Sequence, residues 1–117
     1  MTEIKDDIKQ IGTSAAGKEI LEFLGEEMRW FDTQYSALKF AISVAIKFKI
    51  PVDEKASVET SHNVNTLDSD LVLKNILIDI YPGEAPYRKS QYLADAGLKF
   101  MYQKIKEEEW TLDKFID

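Results

Sequence analysis

Four groups of residues have types and spacings that invite chemistry. Gly12-Thr13-Ser14-Ala15-Ala16-Gly17-Lys18-Glu19 has the glycine and lysine spacing of a phosphate-cradling loop. Such a loop offers backbone N–H groups and a lysine to phosphate, and a following Ser or Thr to magnesium. Here the magnesium position is Glu19, whose carboxylate would oppose phosphate. No buried-strand pattern precedes Gly12, so the segment reads as a turn with Thr13 or Ser14 capping a helix. His62 is the sole histidine and sits beside Ser61, Asn63 and Asn65. Acid–base work needs a positioned partner, which adjacency to Ser61 does not supply; His62 reads as a surface residue. Asp68-Ser69-Asp70 lacks the glutamate of a calcium loop and reads as capping at the positive end of a helix. Glu107, Glu108 and Glu109, near Lys104 and Lys106, read as solvated helix surface.

The chain contains no cysteine, so thiolate catalysis, disulfides and cysteine-held metals are excluded. With no paired acids, metal set or activated nucleophile visible, the expectation is a non-enzyme without metal or cofactor. Net charge is -6, against the basic balance of a general nucleic-acid coat. A local patch can still act against the average. Lys39, Lys47 and Lys49 on one helix and Arg88 and Lys89 on another would form a basic stripe if the helices lay side by side. Tyr87 and Tyr92 would then supply stacking near Arg88. Lys39, Lys47, Arg88 and Lys89 are thus the nucleic-acid contact candidates.

The elements that must position these residues read mainly as helices. Ile4, Ile8 and Ile11 share one face of a short first helix. A second helix runs from about 15 to 29 on Ile20, Leu21, Leu24 and Met28; Gly17 and Gly25 cost it helix propensity if exposed, or Gly25 instead marks a close helix crossing. Residues 35 to 48 form the most strongly patterned helix. Tyr35, Leu38, Ile42, Ala45 and Ile46 share one face; Phe40, Val44 and Phe48 lie on another. A helix apolar round so much of its circumference is central, or buries one side against another subunit. Pro51 ends it. Residues 53–66 are polar and unpatterned, which predicts a long exposed loop. A helix follows over 71–80, buried through Leu73, Ile76, Leu77 and Ile80. The last long helix runs from Pro86 or Tyr87 to about Glu108, and Trp110, Leu112, Phe115 and Ile116 predict a short turn docking back.

The expected fold is therefore all-α, a compact bundle of four to five helices in one domain, residues 1–117. Hydrophobic residues at 44% and charged residues at 31% suit a packed core rather than disorder. The N-terminus lacks the apolar run of a signal peptide, and the longest apolar stretch, Ala41 to Ile46, is too short to span a bilayer. The expectation is a cytoplasmic protein without membrane contact.

The segments YSALKFAISVAIKFKIPV (35–52) and YLADAGLKFMYQKI (92–105) resemble small accessory proteins encoded beside DNA phosphorothioation and restriction-type antiviral defence islands. Phe31, Tyr35, Phe40, Ala41, Gly97 and Leu98 match best, and the resemblance covers about half the chain. It implies a non-enzymatic partner of a larger defence or DNA-processing complex. One related group binds DNA through basic helical surfaces; the acidic charge of this chain departs from that group and favours a protein partner. The leading expectation is an accessory or adaptor subunit for protein–protein assembly, joined to a larger protein or to itself through Phe40, Val44 and Phe48. The alternative is a DNA-binding accessory domain.

Overall fold

Pro86 fixes the start of the longest helix, and no strong breaker interrupts the sequence until Glu109. A computed structural model describes residues 7–55 and 57–117. In it the helix spans Pro86–Glu108, which we call α5 by its place in the chain order that follows. A first strand, β1 (Gln10–Thr13), leads into α1 (Ala15–Glu22), which continues as a π-helical turn over Phe23–Glu27. Then come α2 (Gln34–Lys47), β2 (Glu59–Asn63), α3 (Val64–Leu67), α4 (Val72–Ile80), α5 and α6 (Leu112–Ile116). The fold is mostly helical, although the small antiparallel sheet of β1 and β2 makes it something other than the expected all-α bundle.

α2 and α5 form the core pair. Ala37, Leu38, Ala41, Ile42, Val44 and Ala45 of α2 are buried against Leu93, Ala94, Gly97, Leu98 and Met101 of α5 and their neighbours. The helices meet backbone to backbone at Gly97, where a Cβ would stand 2.0 Å from the Ala41 carbonyl oxygen. The close crossing expected at Gly25 is therefore at Gly97; a Cβ at Gly25 meets nothing within 4 Å. Beyond the crossing, Phe48, Phe100, Trp110, Phe115 and Trp30 interlock with ring centroids 5.1 to 6.4 Å apart and dock α6. The expected docking turn over 110–116 is present as α6.

Two expected elements are corrected. The described part of the first expected helix is extended: Ile8 is non-helical and Ile11 lies in β1, while Ile4 falls outside the described residues. Extended backbone suits β-branched Ile11 and Thr13, and it exposes a polar edge that α5 can satisfy. Gly12 N–H donates to Gln91 Oε1 at 2.9 Å, and Ser14 N–H to Asp95 Oδ1 at 3.0 Å. Asp7 completes this series, accepting the free N–H groups of Tyr87 and Arg88 at 2.7 and 3.0 Å in the first turn of α5. The expected loop over 53–66 is likewise a turn followed by β2 and α3. β2 pairs with β1 from Gln10–Asn63 to Thr13–Glu59, with a bulge between Ile11 and Gly12. A polar strand five residues long carries too little apolar alternation to be seen in sequence.

Candidate functional site

The chemistry-bearing residues are mostly engaged in holding the fold. The phosphate-loop lookalike is filled by the chain's own carboxylate. Asp95 Oδ1 accepts the Ser14 N–H and the Ser14 hydroxyl (2.8 Å), while Ser14 Oγ accepts the Gly17 N–H at 3.1 Å as the N-cap of α1. A Cβ at Gly17 would stand 2.3 Å from Asp95 Oδ1, so the glycine makes room for the carboxylate rather than for a phosphate. Lys99 closes the cluster with an ion pair to Asp95 Oδ2 at 2.9 Å. Burial pushes the Asp95 carboxyl up, but the Lys99 and Ser14 hydrogen bonds outweigh it and hold it below the usual carboxylate range. The Ser14 hydroxyl proton is directed into a weak base, which is the arrangement of a cap.

His62 is corrected from a surface residue to a buried one, 7% exposed. Its Nε2 lies 2.9 Å from Gln34 Oε1 and its ring meets Tyr35 edge-on. Burial lowers its pKa. The capping expected of Asp68 is observed. Oδ1 accepts the Leu73 N–H at 2.9 Å, and Oδ2 accepts the Lys74 N–H at 2.8 Å and the Tyr87 hydroxyl at 2.9 Å. Burial and that bond to Asp68 push the Tyr87 phenol up, and the ring is buried, so it offers no stacking platform. No group of three or more His, Cys, Asp or Glu side chains that could hold a metal ion occurs among the described residues.

The helices that carry the four basic candidates do lie side by side, and each candidate has its own surroundings. Lys47 Nζ donates to the carbonyls of Phe115 and Ile116, at the C-terminal end of α6. Lys89 pairs with Glu84 at 3.5 Å and lies over the Tyr81 ring. Arg88 is exposed at the start of α5, eleven residues and roughly 16 Å of helix from Lys99. Lys39 is exposed on α2 and borders a furrow shared with Asp68 and Asp70.

Among the expected interface residues, Val44 is 1% exposed within the core, Phe40 packs on Phe31 and Phe48 belongs to the aromatic cluster of α6. The exposed apolar surface lies elsewhere, on α4. Leu71, Val72, Ile76 and Ile80 are 50%, 52%, 45% and 44% exposed. The expected buried face of that helix is thus corrected: Leu77 is buried and Leu73 half-buried, while Ile76 and Ile80 face outward. Val72, Ile76 and Ile80 recur every four residues and form one row. Beside the row runs a furrow of about 270 Å³, floored by Ile42 and Ile46 of α2 with Leu73 of α4. A larger cleft of about 470 Å³ between α1 and α5 is lined by Glu19, Glu27, Lys99 and Lys106, with Lys106 seated over Phe23 and Tyr102. Its charges are mixed, so the α2–α4 furrow, with its apolar floor beside the exposed row, is the better candidate for recognition.

At the mouth of the furrow Leu71 holds φ +62, a left-handed conformation that L-residues avoid. Arg29, Lys49 and Glu109 share that sign, but each follows the end of a helix, where a left-handed residue is common. Leu71 instead precedes one. Asp68 and Asp70 lock it in place: Asp70 Oδ1 accepts the Val72 N–H at 3.2 Å, and the Asp68 carbonyl accepts the Leu71 N–H at 3.2 Å. A strained, half-exposed leucine held by two capping carboxylates is the kind of conformation that accumulates at binding sites. Sequence reasoning saw the carboxylates as caps, but left-handed backbone at leucine has no sequence signal.

Comparison of the chain with protein-family models, curated proteins and solved structures yields no match.

Proposed function

We propose that this chain is a non-catalytic assembly subunit that docks a protein partner on α4 and the furrow between α4 and α2. The row Leu71, Val72, Ile76 and Ile80 carries the reading, because four large apolar side chains about half exposed on one short element are costly to leave in water. The strained backbone at Leu71 supports it. The candidate face thereby moves from Phe40, Val44 and Phe48, which pack within the chain, to the adjacent helix. The setting follows the sequence resemblance: a cytoplasmic defence or DNA-processing complex in which this subunit contacts protein rather than DNA. No helix among the described residues is long and apolar enough to cross a membrane.

Affinity capture from the native host, with and without nuclease and with wild-type and Ile76→Asp chains, tests the proposal. A stoichiometric protein partner that survives nuclease and is lost with Ile76→Asp is the expected result. Recovery that disappears on nuclease treatment overturns it in favour of the nucleic-acid reading. A partner retained equally by Ile76→Asp overturns the assignment to α4.

A further inference from the structure

We infer that the occupant of the α2–α4 furrow is a basic amphipathic helix of a partner protein, an inference that rests on the assembly reading above. The shape fits a helix. Val72, Ile76 and Ile80 make a ridge roughly 12 Å long, and the furrow beside it is floored by Ile42, Ile46 and Leu73. Ridge and furrow together match the way an amphipathic helix seats apolar residues at i, i+3, i+4 and i+7.

Charge selects the kind of helix. Asp70 and Asp79 bracket the apolar row nine residues apart, and both are exposed and outside every ion pair among the described residues. Residues 61–87 carry four acids and one lysine, and the whole chain is at -6. Lys39 is the one cation bordering the furrow. A partner helix with Lys or Arg on either side of its apolar stripe meets Asp70 and Asp79 at once. An acidic helix meets like charge at both ends.

Area argues against a second copy. The exposed row offers on the order of 300 Å², well below the ~800 Å² per partner of a stable globular interface. One helix laid along the furrow fits that scale.

The test is fluorescence anisotropy with the full chain and two labelled helical peptides. Both have leucines at i, i+3, i+4 and i+7; one is flanked by lysines, the other by glutamates. The lysine peptide is expected to bind, and the glutamate peptide to bind more than about tenfold more weakly. Ile76→Asp is expected to weaken the lysine peptide more than about tenfold, with Ile80→Glu as the second variant should the first lose its far-UV CD spectrum. Asp70→Lys combined with Asp79→Lys should reverse the preference between the peptides. Equal binding of the two peptides, binding of neither, or affinity unchanged in the apolar-row variants overturns the proposal. Self-association abolished by Ile76→Asp, with neither peptide bound, assigns the face to a second copy and also overturns it. Failure of the peptides while Ile76→Asp still abolishes capture of a host protein removes the basic helix and leaves the assembly reading standing. Capture indifferent to Ile76→Asp removes the assembly reading itself.

Discussion

A leucine at φ +62 costs about 1–2 kcal/mol relative to an ordinary backbone, and Leu71 is half exposed. Leu71→Gly relieves that strain but adds chain entropy to the unfolded state. We expect a net gain of up to about 1 kcal/mol, read as a higher urea midpoint, together with weaker partner capture. A lower midpoint would mean that the Leu71 side chain stabilises the fold itself. His62 sets a second expectation. Its folded pKa lies below the ordinary 6.5 because burial penalises the charged ring. The unfolded chain therefore takes up the proton first as pH falls, so this contribution to stability is complete above about 6.5 and is lost as pH falls from there toward the folded value. Urea midpoints should drop between about pH 7.5 and 5.5, and His62→Gln should flatten that drop. An unchanged slope in His62→Gln would place the titration elsewhere. At this scale the sequence was legible where chemistry is local, as with Ser14 and Asp68 acting as caps. It was silent where a partner comes from afar, as with Asp95 in the Ser14 turn or Gln34 beside His62.

Elements tell a different story from residues. The long helices were legible because α2 and α5 carry strong apolar periodicity with Pro86 and Pro51 as punctuation. β1 and β2 were not, because Ile4, Ile8 and Ile11 have helical spacing and strands this short leave too few positions to show a period of two. Periodicity also marks which residues are apolar without saying which are covered. Phe40, Val44 and Phe48 looked like a spare face of α2 and are packed by Phe31, α6 and the core. The outward residues of α4 looked like core, since a nine-residue helix carrying six apolar side chains suggests burial all round. The crossing of α2 and α5 gives the sharpest expectation here. Gly97→Ala would drive a methyl into the Ala41 carbonyl, a backbone atom that cannot rotate away. Forcing the two helices apart should cost at least about 1–3 kcal/mol, measured by urea unfolding. A change of only a few tenths would mean that the crossing slides freely. Phe115→Ala tests the docking of α6: it removes a buried ring touching Trp30, Phe100 and Trp110, with a cost of about 3–5 kcal/mol and a shift in tryptophan emission.

At the scale of the whole molecule, an elongated body of 46 × 28 × 27 Å carries a net charge of -6. A net negative charge of this kind favours the approach of cations over that of polyanions, an effect screened over about 8 Å at physiological salt. The same body has its earliest described residues fastened to its last long helix. Asp7, Gly12 and Ser14 meet Tyr87, Arg88, Gln91 and Asp95 across sequence separations of 79 to 81 residues. While the chain is being synthesised, the Gly12 and Ser14 amides therefore lack their native side-chain acceptors until Gln91 and Asp95 of α5 have been made. α1 lacks its buried Asp95 carboxylate for as long, whereas Asp7 is already present when the first turn of α5 is made. Chain closure of that span is slow compared with forming a helix turn. This part of the native state is thus reached only once α5 has been made, with the Asp7–Ser14 segment and that helix locking in the same event.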